Sequence, residues 1–348
     1  MEYTFDPRIT GLLLHWYGEN ARDLPWRGSR DPYAIWVSEI MLQQTQVETV
    51  KPYFARFMAA LPTVQALAEA PEGQVLKLWE GLGYYSRARN LHRCAKAVVQ
   101  GHDGAFPDSW PAIRALPGIG EYTAGAVLSI AFGKAFPAVD GNVLRVAARV
   151  LEIGSDMAAT AIKRAVSAAL EAIYPPEGVD CGHLTQSLME LGATVCIPGE
   201  NPRCGACPIA ALCRARAQGT TGKLPIKTPK KAKREEALTV LILHSEGRIA
   251  IRQRPASGLL ASLWQLPSAP GHLEREEIPR LLDDWGIEAL DVGEGFARTH
   301  IFTHVRWDMR CYAVRCAEAA GDGLVWADCH QLEHEYTLPA AFRKCLGE

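Results

Sequence analysis

Glu39 is the residue of this chain whose neighbours most favour acid–base chemistry. It lies inside the apolar run of residues 36–42. A carboxyl group that is shielded from water keeps its proton near neutral pH, as a general acid must. The alternative is a solvent-facing glutamate on a helix, which these neighbours disfavour. The sequence therefore predicts a general acid at Glu39.

Four of the ten cysteines crowd into one segment, in the pattern Cys196-x7-Cys204-x2-Cys207-x5-Cys213. Zinc and a four-iron cluster both accept four thiolates. Zinc fingers usually pair two C-x2-C knuckles and this segment has one, which favours the cluster. The other six cysteines are predicted to be ordinary core or surface residues, at positions 94, 181, 311, 316, 329 and 345.

Residues 116–126 read as the end of one helix, a tight turn with Gly118 and Gly120, and the start of a second helix. Glycines let backbone N–H groups approach a phosphate at a helix N-terminus. An ordinary helical hairpin is the alternative. About twenty residues later, Asp140 precedes another helical pattern, where Asp commonly serves as an N-cap. The two segments together favour a phosphate-binding hairpin.

The elements around these residues change type along the chain. From Ile9 to about Ala217 the pattern is that of successive amphipathic helices. Residues 218–236, rich in Gly, Pro and Lys, are predicted to be an exposed basic linker. β-type runs follow at 238–244, 249–253 and 310–315, around a helix-like stretch at 273–285. The expected fold class is an all-α region followed by an α+β domain.

Charge and hydropathy limit the kinds of function that this chain of 348 residues can have. Residues 1–234 carry 26 Lys and Arg against 21 Asp and Glu, whereas residues 235–348 carry 11 against 18. The first part is therefore the better candidate for phosphate contact. No apolar stretch approaches the roughly 20 residues of a membrane span. The N-terminus lacks the features of a secretion signal, so we expect a reducing, cytoplasmic compartment.

Several motifs together resemble one family. Leu24-Pro25-Trp26-Arg27 and residues 36–47 are similar to the signature of the A/G-specific adenine DNA glycosylase (MutY) family, within the helix-hairpin-helix endonuclease III superfamily. The cysteine loop also resembles this superfamily, although the usual first spacing is six residues and here it is seven. Residues 237–346 resemble the family's appended MutT-like domain. Leu273-Glu274-Arg275-Glu276-Glu277 does not reproduce a pyrophosphatase metal box, so we expect a recognition module.

The resemblance implies roles for four residues near adenine. Glu39 would protonate adenine N7, and Asp140 would stabilise the positively charged sugar. Tyr122 and Asn142 would orient Asp140 and the sugar. Lyase members carry a Lys at the position of Tyr122, and a phenol cannot form the imine that Lys forms. A monofunctional hydrolase is therefore expected.

The resemblance also implies binding residues. The residues that would contact DNA are Gln43, Gln44, Thr45, Leu82, Tyr84, Gly118 and Gly120, with core packing as the alternative for Leu82 and Tyr84. The residues that would surround adenine are Leu24, Trp26, Arg27 and Glu190. The residues that would inspect 8-oxoguanine are Phe302, Thr303 and His304, with Thr where the family usually has Ser.

The resemblance gives expected domains, cofactor and partner. The expected organisation is an all-α catalytic region 1–217, a linker 218–236 and a MutT/Nudix-like domain 237–348. The catalytic region would hold a six-helix barrel at about 22–135 and a [4Fe-4S] subdomain from 1–21 and 136–217. The expected partner is duplex DNA with adenine opposite 8-oxoguanine or guanine, bound by a monomer. The alternatives are a bifunctional endonuclease III-like lyase and a non-catalytic lesion-binding protein.

Overall fold

The computed structural model describes residues 3–226, 228, 232–317 and 323–347. Four positions of the predicted linker, 227 and 229–231, lie outside the described residues. Two compact units emerge from the chain's contacts. Within the described residues, the first comprises 3–70 and 89–228, and the second comprises 71–88 and 232–347.

The described residues before 227 form α-helices and short 3-10 turns, and no strand, as the periodicity predicts. The helices are α1 (Arg8–Asn20), α2 (Pro32–Leu42), α3 (Val47–Ala60), α4 (Val64–Glu69), α5 (Glu72–Leu78), α6 (Ser86–Gly101), α7 (Trp110–Ala115), α8 (Glu121–Ile130), α9 (Gly141–Val150), α10 (Thr160–Glu171), α11 (Val179–Thr194) and α12 (Arg214–Ala217).

Apolar faces of these helices build the core of the first unit. α9 contributes Val143, Val146 and Val150 to a cluster that also takes Leu184 and Leu188 from α11. The spacings of three and four residues put each set on one helix face. Because α9 and α11 pack here, the start of α9, which carries Asp140 as its N-cap, is fixed against α11.

The described residues from 232 onward form a mixed sheet with three α-helices. The elements are β1 (Arg234–Ser245), β2 (Arg248–Gln253), β3 (Trp264–Gln265), β4 (Ser268–Pro270), α13 (Ile278–Asp284), β5 (Ala289–Val292), β6 (Phe296–Ile301), β7 (Val305–Cys316), β8 (Leu324–Ala327), α14 (Cys329–His334) and α15 (Ala340–Arg343). The strand order is β3-β2-β1-β7-β5, with β4 on β1, β6 on β7 and β8 on β2. β1 and β7 run parallel, while the other pairs are antiparallel.

Successive residues of β1 face opposite sides of the sheet. Val240 and Ile242 join one buried cluster with α14 and α15, and Leu241 and Leu243 join another with α13. The central strand is therefore apolar on both faces, which explains its unbroken apolar run. The predicted fold class, an all-α region followed by an α+β domain, is confirmed.

Part of the predicted linker is packed in the structure. Leu224 is buried, and its backbone oxygen accepts a hydrogen bond from Arg149. β1 begins at Arg234, because residues 234–236 pair with residues 305–307 of β7. Composition did not reveal this packing.

No helix of the described residues is both long and apolar enough to cross a membrane.

Candidate active site

α2 places Glu39 in the core of the first unit. Asp31 caps the helix by accepting hydrogen bonds from the backbone N–H groups of Tyr33 and Ala34, and Pro32 occupies the first turn. Both features are typical helix-start signals. Since α2 is apolar on nearly every side, it is buried along most of its length, and Glu39 is 6% exposed.

Burial sets the protonation of Glu39. It raises the pKa of the carboxyl group to about 7, and the nearby Asp140 acts in the same direction. The hydroxyl of Tyr122 donates a short hydrogen bond to Glu39 Oε2, which partly offsets the rise by stabilising the ionised form. Tyr122 is predicted to help orient Asp140 and the sugar, and the hydrogen bond that its hydroxyl makes in the structure joins it to Glu39. Glu39 can thus hold a proton near pH 7, as predicted for a general acid.

Asp140 is the N-cap of α9, the structural role that the sequence offered for it. Its Oδ1 caps α9 by accepting from the Val143 backbone N–H at 2.7 Å, and its Oδ2 accepts from Asn142 Nδ2 at 2.8 Å. Burial raises the pKa of Asp140, although these hydrogen bonds oppose the rise. Asn142 therefore orients Asp140, as expected from the motif.

One cleft of about 620 Å³ joins these groups. Its wall includes every residue predicted for catalysis, for the adenine pocket and for the Gln-Gln-Thr run: Glu39, Tyr122, Asp140, Asn142, Leu24, Trp26, Arg27, Glu190, Gln43, Gln44 and Thr45. Residues that are 150 positions apart in the chain thus meet in a space with both apolar and polar walls. Such a concave, partly apolar site is typical of small-ligand pockets.

Glu190 is held as an ion by two arginines. Arg22 reaches both of its oxygens, at 2.6 and 2.8 Å, and Arg27 reaches Oε2 at 2.6 Å. Burial alone would raise the pKa of Glu190, but these hydrogen bonds outweigh burial and lower it. Sequence reasoning missed Arg22, which lies two residues before the Leu-Pro-Trp-Arg motif and pairs with a residue 168 positions away.

Gln44 projects at the rim of the cleft. α2 ends at Leu42, and Gln44 is exposed with a left-handed backbone, at φ 60°. Such a conformation is uncommon outside glycine and marks functional turns. Gln43 contacts the Thr123 hydroxyl of α8 at 3.4 Å. This turn is shaped to present polar side chains beside the cleft.

The glycine hairpin is present between α7 and α8. Gly118 has φ 76°, and a Cβ there would lie 2.7 Å from Cβ of Asn90. Gly120 is the N-cap residue of α8. A larger residue at 118 would be strained and crowded. The predicted order of helix, tight glycine turn and helix is present in this segment.

The four clustered cysteines line one cavity in the first unit. Cys196, Cys204, Cys207 and Cys213 share it with apolar residues of α9 and α11. None of the four is part of a disulfide bond. Among the described residues no three His, Cys, Asp or Glu side chains are arranged to hold a metal ion. Of the six scattered cysteines, Cys329 is exposed and the rest are buried, as predicted.

Arg145 connects the cysteine loop to Asp140. Its Nε donates to the Cys196 carbonyl at 2.7 Å, and its Nη2 donates to Asn142 Oδ1 at 2.8 Å and to the Gly192 carbonyl at 2.7 Å. Asn142 in turn donates to Asp140. Arg145 and Asn142 therefore link the loop that carries Cys196 to the carboxyl group of Asp140.

The second unit carries the remaining predicted residues. Thr303 and His304 are exposed in the turn between β6 and β7, which the Phe302 N–H closes by donating to the Val305 carbonyl at 2.8 Å. Phe302 packs against Trp307. The tip of this turn therefore presents the Thr303 hydroxyl and the His304 imidazole, while the hydrogen bond and the Phe302 contact hold the turn in place.

Tyr84 belongs to the second unit and is 43% exposed, whereas Leu82 is 5% exposed. The hydroxyl groups of Tyr84 and Thr303 are hydrogen-bonded at 2.8 Å. The burial of Leu82 fits core packing, the alternative that the sequence offered, while its DNA contact stays a prediction.

Two parts of the chain are similar to known classes of protein. Residues 37–172 match the HhH-GPD superfamily of base excision DNA repair proteins, and residues 238–348 match a NUDIX domain. The solved structure of a thermostable thymine-DNA glycosylase aligns with a TM-score of 0.54 at 30% identity, over 61% of this chain and 96% of that one. A trapped endonuclease III–DNA intermediate shares the fold, with a TM-score of 0.50 at 22% identity over 61% and 97% of the chains. The fold and the cleft thus define a base-excision repair protein with an added Nudix-like domain.

Curated relatives then give the family. The adenine DNA glycosylase of Homo sapiens is 37% identical over 87% of this chain and 66% of its own length. Those of Mus musculus and Schizosaccharomyces pombe are 36% and 32% identical, over 88% and 94% of this chain and 70% and 86% of their own lengths. This chain therefore spans about two thirds of the mammalian relatives. It belongs to the adenine DNA glycosylase family.

Proposed function

We propose that this protein hydrolyses the N-glycosidic bond of adenine mispaired in duplex DNA and releases free adenine and an abasic site. One observation carries the proposal: the buried, protonatable Glu39 and the second carboxylate Asp140 line the same cleft. Extruding adenine into that cleft costs a few kcal/mol. The partner is duplex DNA, bound by a monomer.

The two carboxyl groups divide the chemistry. Glu39 donates its proton to adenine N7, so the base leaves as a neutral molecule. Asp140, held by Asn142, stabilises the positive charge that develops on the sugar as the bond to C1′ breaks. Water then adds to C1′ and supplies the new hydroxyl group, and the proton that the water loses restores the acid form of Glu39. Tyr122 fixes the Glu39 carboxyl group and offers no amine for an imine with the sugar.

Glu39→Gln tests this assignment. We expect mispaired DNA to bind as before while single-turnover adenine release falls by about 10²- to 10⁴-fold, the usual contribution of a general acid. Glu69→Gln, which alters an exposed carboxylate on α4, is the matched control. Near wild-type release by Glu39→Gln would remove Glu39 from the mechanism.

The same assay separates the two rival functions. Strand nicking that accompanies base release in the unsubstituted protein would favour the bifunctional lyase. Tight binding of the mispair without any base release would favour the lesion-binding protein. We expect base release without nicking, because position 122 is a phenol.

The base opposite adenine is proposed to be 8-oxoguanine, with guanine as the weaker substrate. 8-Oxoguanine differs from guanine by its O8 and N7–H groups, which an exposed hydroxyl and imidazole can sense. Thr303 and His304 provide that pair. Replacing both with Ala should narrow the preference, since a good base contact contributes about 1 to 3 kcal/mol of discrimination. Equal loss of affinity for both duplexes would show that the turn binds the backbone instead.

A [4Fe-4S] cluster is proposed for the cavity lined by Cys196, Cys204, Cys207 and Cys213. Four cysteines line one mostly apolar cavity together with Arg149 and Arg216, and a cluster would bind them as thiolates. Once bound, the cluster would hold the cysteine loop, and with it the hydrogen bond from Arg145, in place. We expect brown protein with about four irons per chain. Stoichiometric zinc without iron after anaerobic purification would contradict the proposal.

A further inference from the structure

The turn that carries Tyr84 is strained and tightly held. Gly81, Gly83 and Tyr84 have positive φ angles of 99°, 70° and 49°. A non-glycine residue in this region persists where its surroundings impose it. Here the indole N–H of Trp79 and the guanidinium of Arg87 both donate to the Gly83 carbonyl, at 3.1 and 3.2 Å. The exposed Tyr84 ring is therefore presented by a rigid turn.

An ion triad, formed by Lys77, Glu80 and Arg343, joins the start of this turn to the C-terminal part of the second unit. Lys77 Nζ lies 2.5 Å from Glu80 Oε2, and Arg343 Nε lies 3.0 Å from Glu80 Oε1. The Leu338 backbone N–H also donates to Glu80 Oε1 at 3.2 Å. Glu80 thus accepts from two segments that are about 260 residues apart.

The two cations of the triad also bind backbone oxygens at the end of α14. Lys77 Nζ donates to the carbonyls of Leu332 and Tyr336 at 2.9 and 3.1 Å. Arg343 Nη2 donates to Leu332 at 2.7 Å. The three charged side chains are 15–18% exposed, so they are largely shielded from the solvent screening that weakens surface ion pairs.

The triad and the hydroxyl pair of Tyr84 and Thr303 are two attachments of one segment to the same unit. Glu80 lies four residues before Tyr84, and the rigid turn connects them. The geometry points to Glu80 as a positioning residue for specificity: it sets the register of the 79–87 turn so that Tyr84 and Thr303 read the base opposite adenine as one hydrogen-bonded pair. This inference rests on the proposed preference for 8-oxoguanine.

The test measures two quantities in the full-length protein. The first is the ratio of single-turnover adenine release opposite 8-oxoguanine to release opposite guanine. The second is amide hydrogen exchange in residues 79–87 without DNA, a readout that does not depend on activity. The variants are Glu80→Ala, Arg343→Ala and the double substitution, with Glu333→Gln as a control that alters an exposed carboxylate on α14.

We expect faster exchange in residues 79–87 and a preference ratio reduced by about 5-fold or more in each single variant. The preference ratio of the double variant should be little lower than that of Glu80→Ala, because both substitutions break the ion pair between Glu80 and Arg343. Glu333→Gln should change neither quantity. If Glu80→Ala does not fold, Arg343→Ala, which leaves Glu80 paired with Lys77, is judged by the same two readouts.

Two results would overturn the inference. Unchanged exchange would show that the triad does not hold the turn, and faster exchange with an unchanged ratio would show that its hold does not affect specificity. A wild-type ratio near one would instead refute the proposed 8-oxoguanine preference, and the inference with it. That outcome is visible in the unsubstituted protein, so the two failures are distinguishable.

Discussion

At the scale of single residues, the cleft assigns unlike tasks to three carboxyl groups by their surroundings. Burial raises the pKa of Glu39 to about 7, and the hydrogen bond from Tyr122 offsets this rise only in part. Glu190 is buried as well, but Arg22 and Arg27 lower its pKa. Asp140 lies between these cases, with a raised pKa that its hydrogen bonds limit. The pairing of each group, more than its burial, decides which of them can donate a proton.

The proposed mechanism predicts how adenine release depends on pH. In that mechanism the protonated form of Glu39 is the active acid, so the single-turnover rate should fall as the pH rises through about 7. The Tyr122 hydroxyl stabilises the ionised form, so Tyr122→Phe should raise the pKa further and move this fall to higher pH. The control is Tyr33→Phe. Tyr33 is a buried tyrosine of α2 whose hydroxyl donates a hydrogen bond to the Leu61 carbonyl. A fall that stays in place or moves to lower pH in Tyr122→Phe would contradict the assignment.

At the scale of elements, the contact between α9 and α11 fixes the second carboxylate. A Cβ at Gly192 of α11 would lie 2.6 Å from the Asn142 Cβ and 3.1 Å from its backbone. Glycine is therefore required for α11 to approach the start of α9. Because Asn142 hydrogen-bonds Asp140, this close packing also bears on the position of the Asp140 carboxyl group.

Gly192→Ala should displace the start of α9, since backbone atoms cannot yield as a flexible side chain can. We expect a loss of stability of about 1 to 3 kcal/mol, typical of overpacking, and slower adenine release at full DNA binding. Gly18→Ala in α1, where a Cβ meets nothing within 4 Å, should stabilise the helix slightly. Denaturant unfolding and single-turnover kinetics check both. Wild-type stability and rate in Gly192→Ala would refute this account.

At the scale of the whole molecule, the proposed function separates chemistry from recognition. Asp140 and Asn142 belong to the first unit, and Thr303 belongs to the second. Substitutions that affect chemistry should slow release opposite both bases, whereas those that affect recognition should change the ratio.

The two effects should therefore be independent. Asn142→Ala should slow adenine release opposite guanine and 8-oxoguanine alike, and Thr303→Ala should lower the ratio. The double variant should equal the product of the single effects, within about 0.3 to 0.5 kcal/mol, as for independent sites. Single-turnover rates for all four proteins on both duplexes check this. A larger coupling would mean that recognition of the opposite base also sets the geometry of the acid chemistry.

The sequence by itself determined the features that depend on local order. The apolar run around Glu39 indicated its burial, the alternation and apolar runs after residue 236 indicated strands, and the glycines at 118 and 120 indicated the hairpin. Each follows from the period of a helix or strand, or from a backbone angle that glycine adopts readily.

The tertiary structure alone decided which distant groups meet. Tyr122 donates to Glu39, 83 residues away, and Arg22 pairs with Glu190, 168 residues away. Residues 71–88 pack with the C-terminal unit, and Leu82 is enclosed there. Periodicity shows which face of an element is buried, but not the element that covers it. These partners therefore depend on how the helices and the sheet pack.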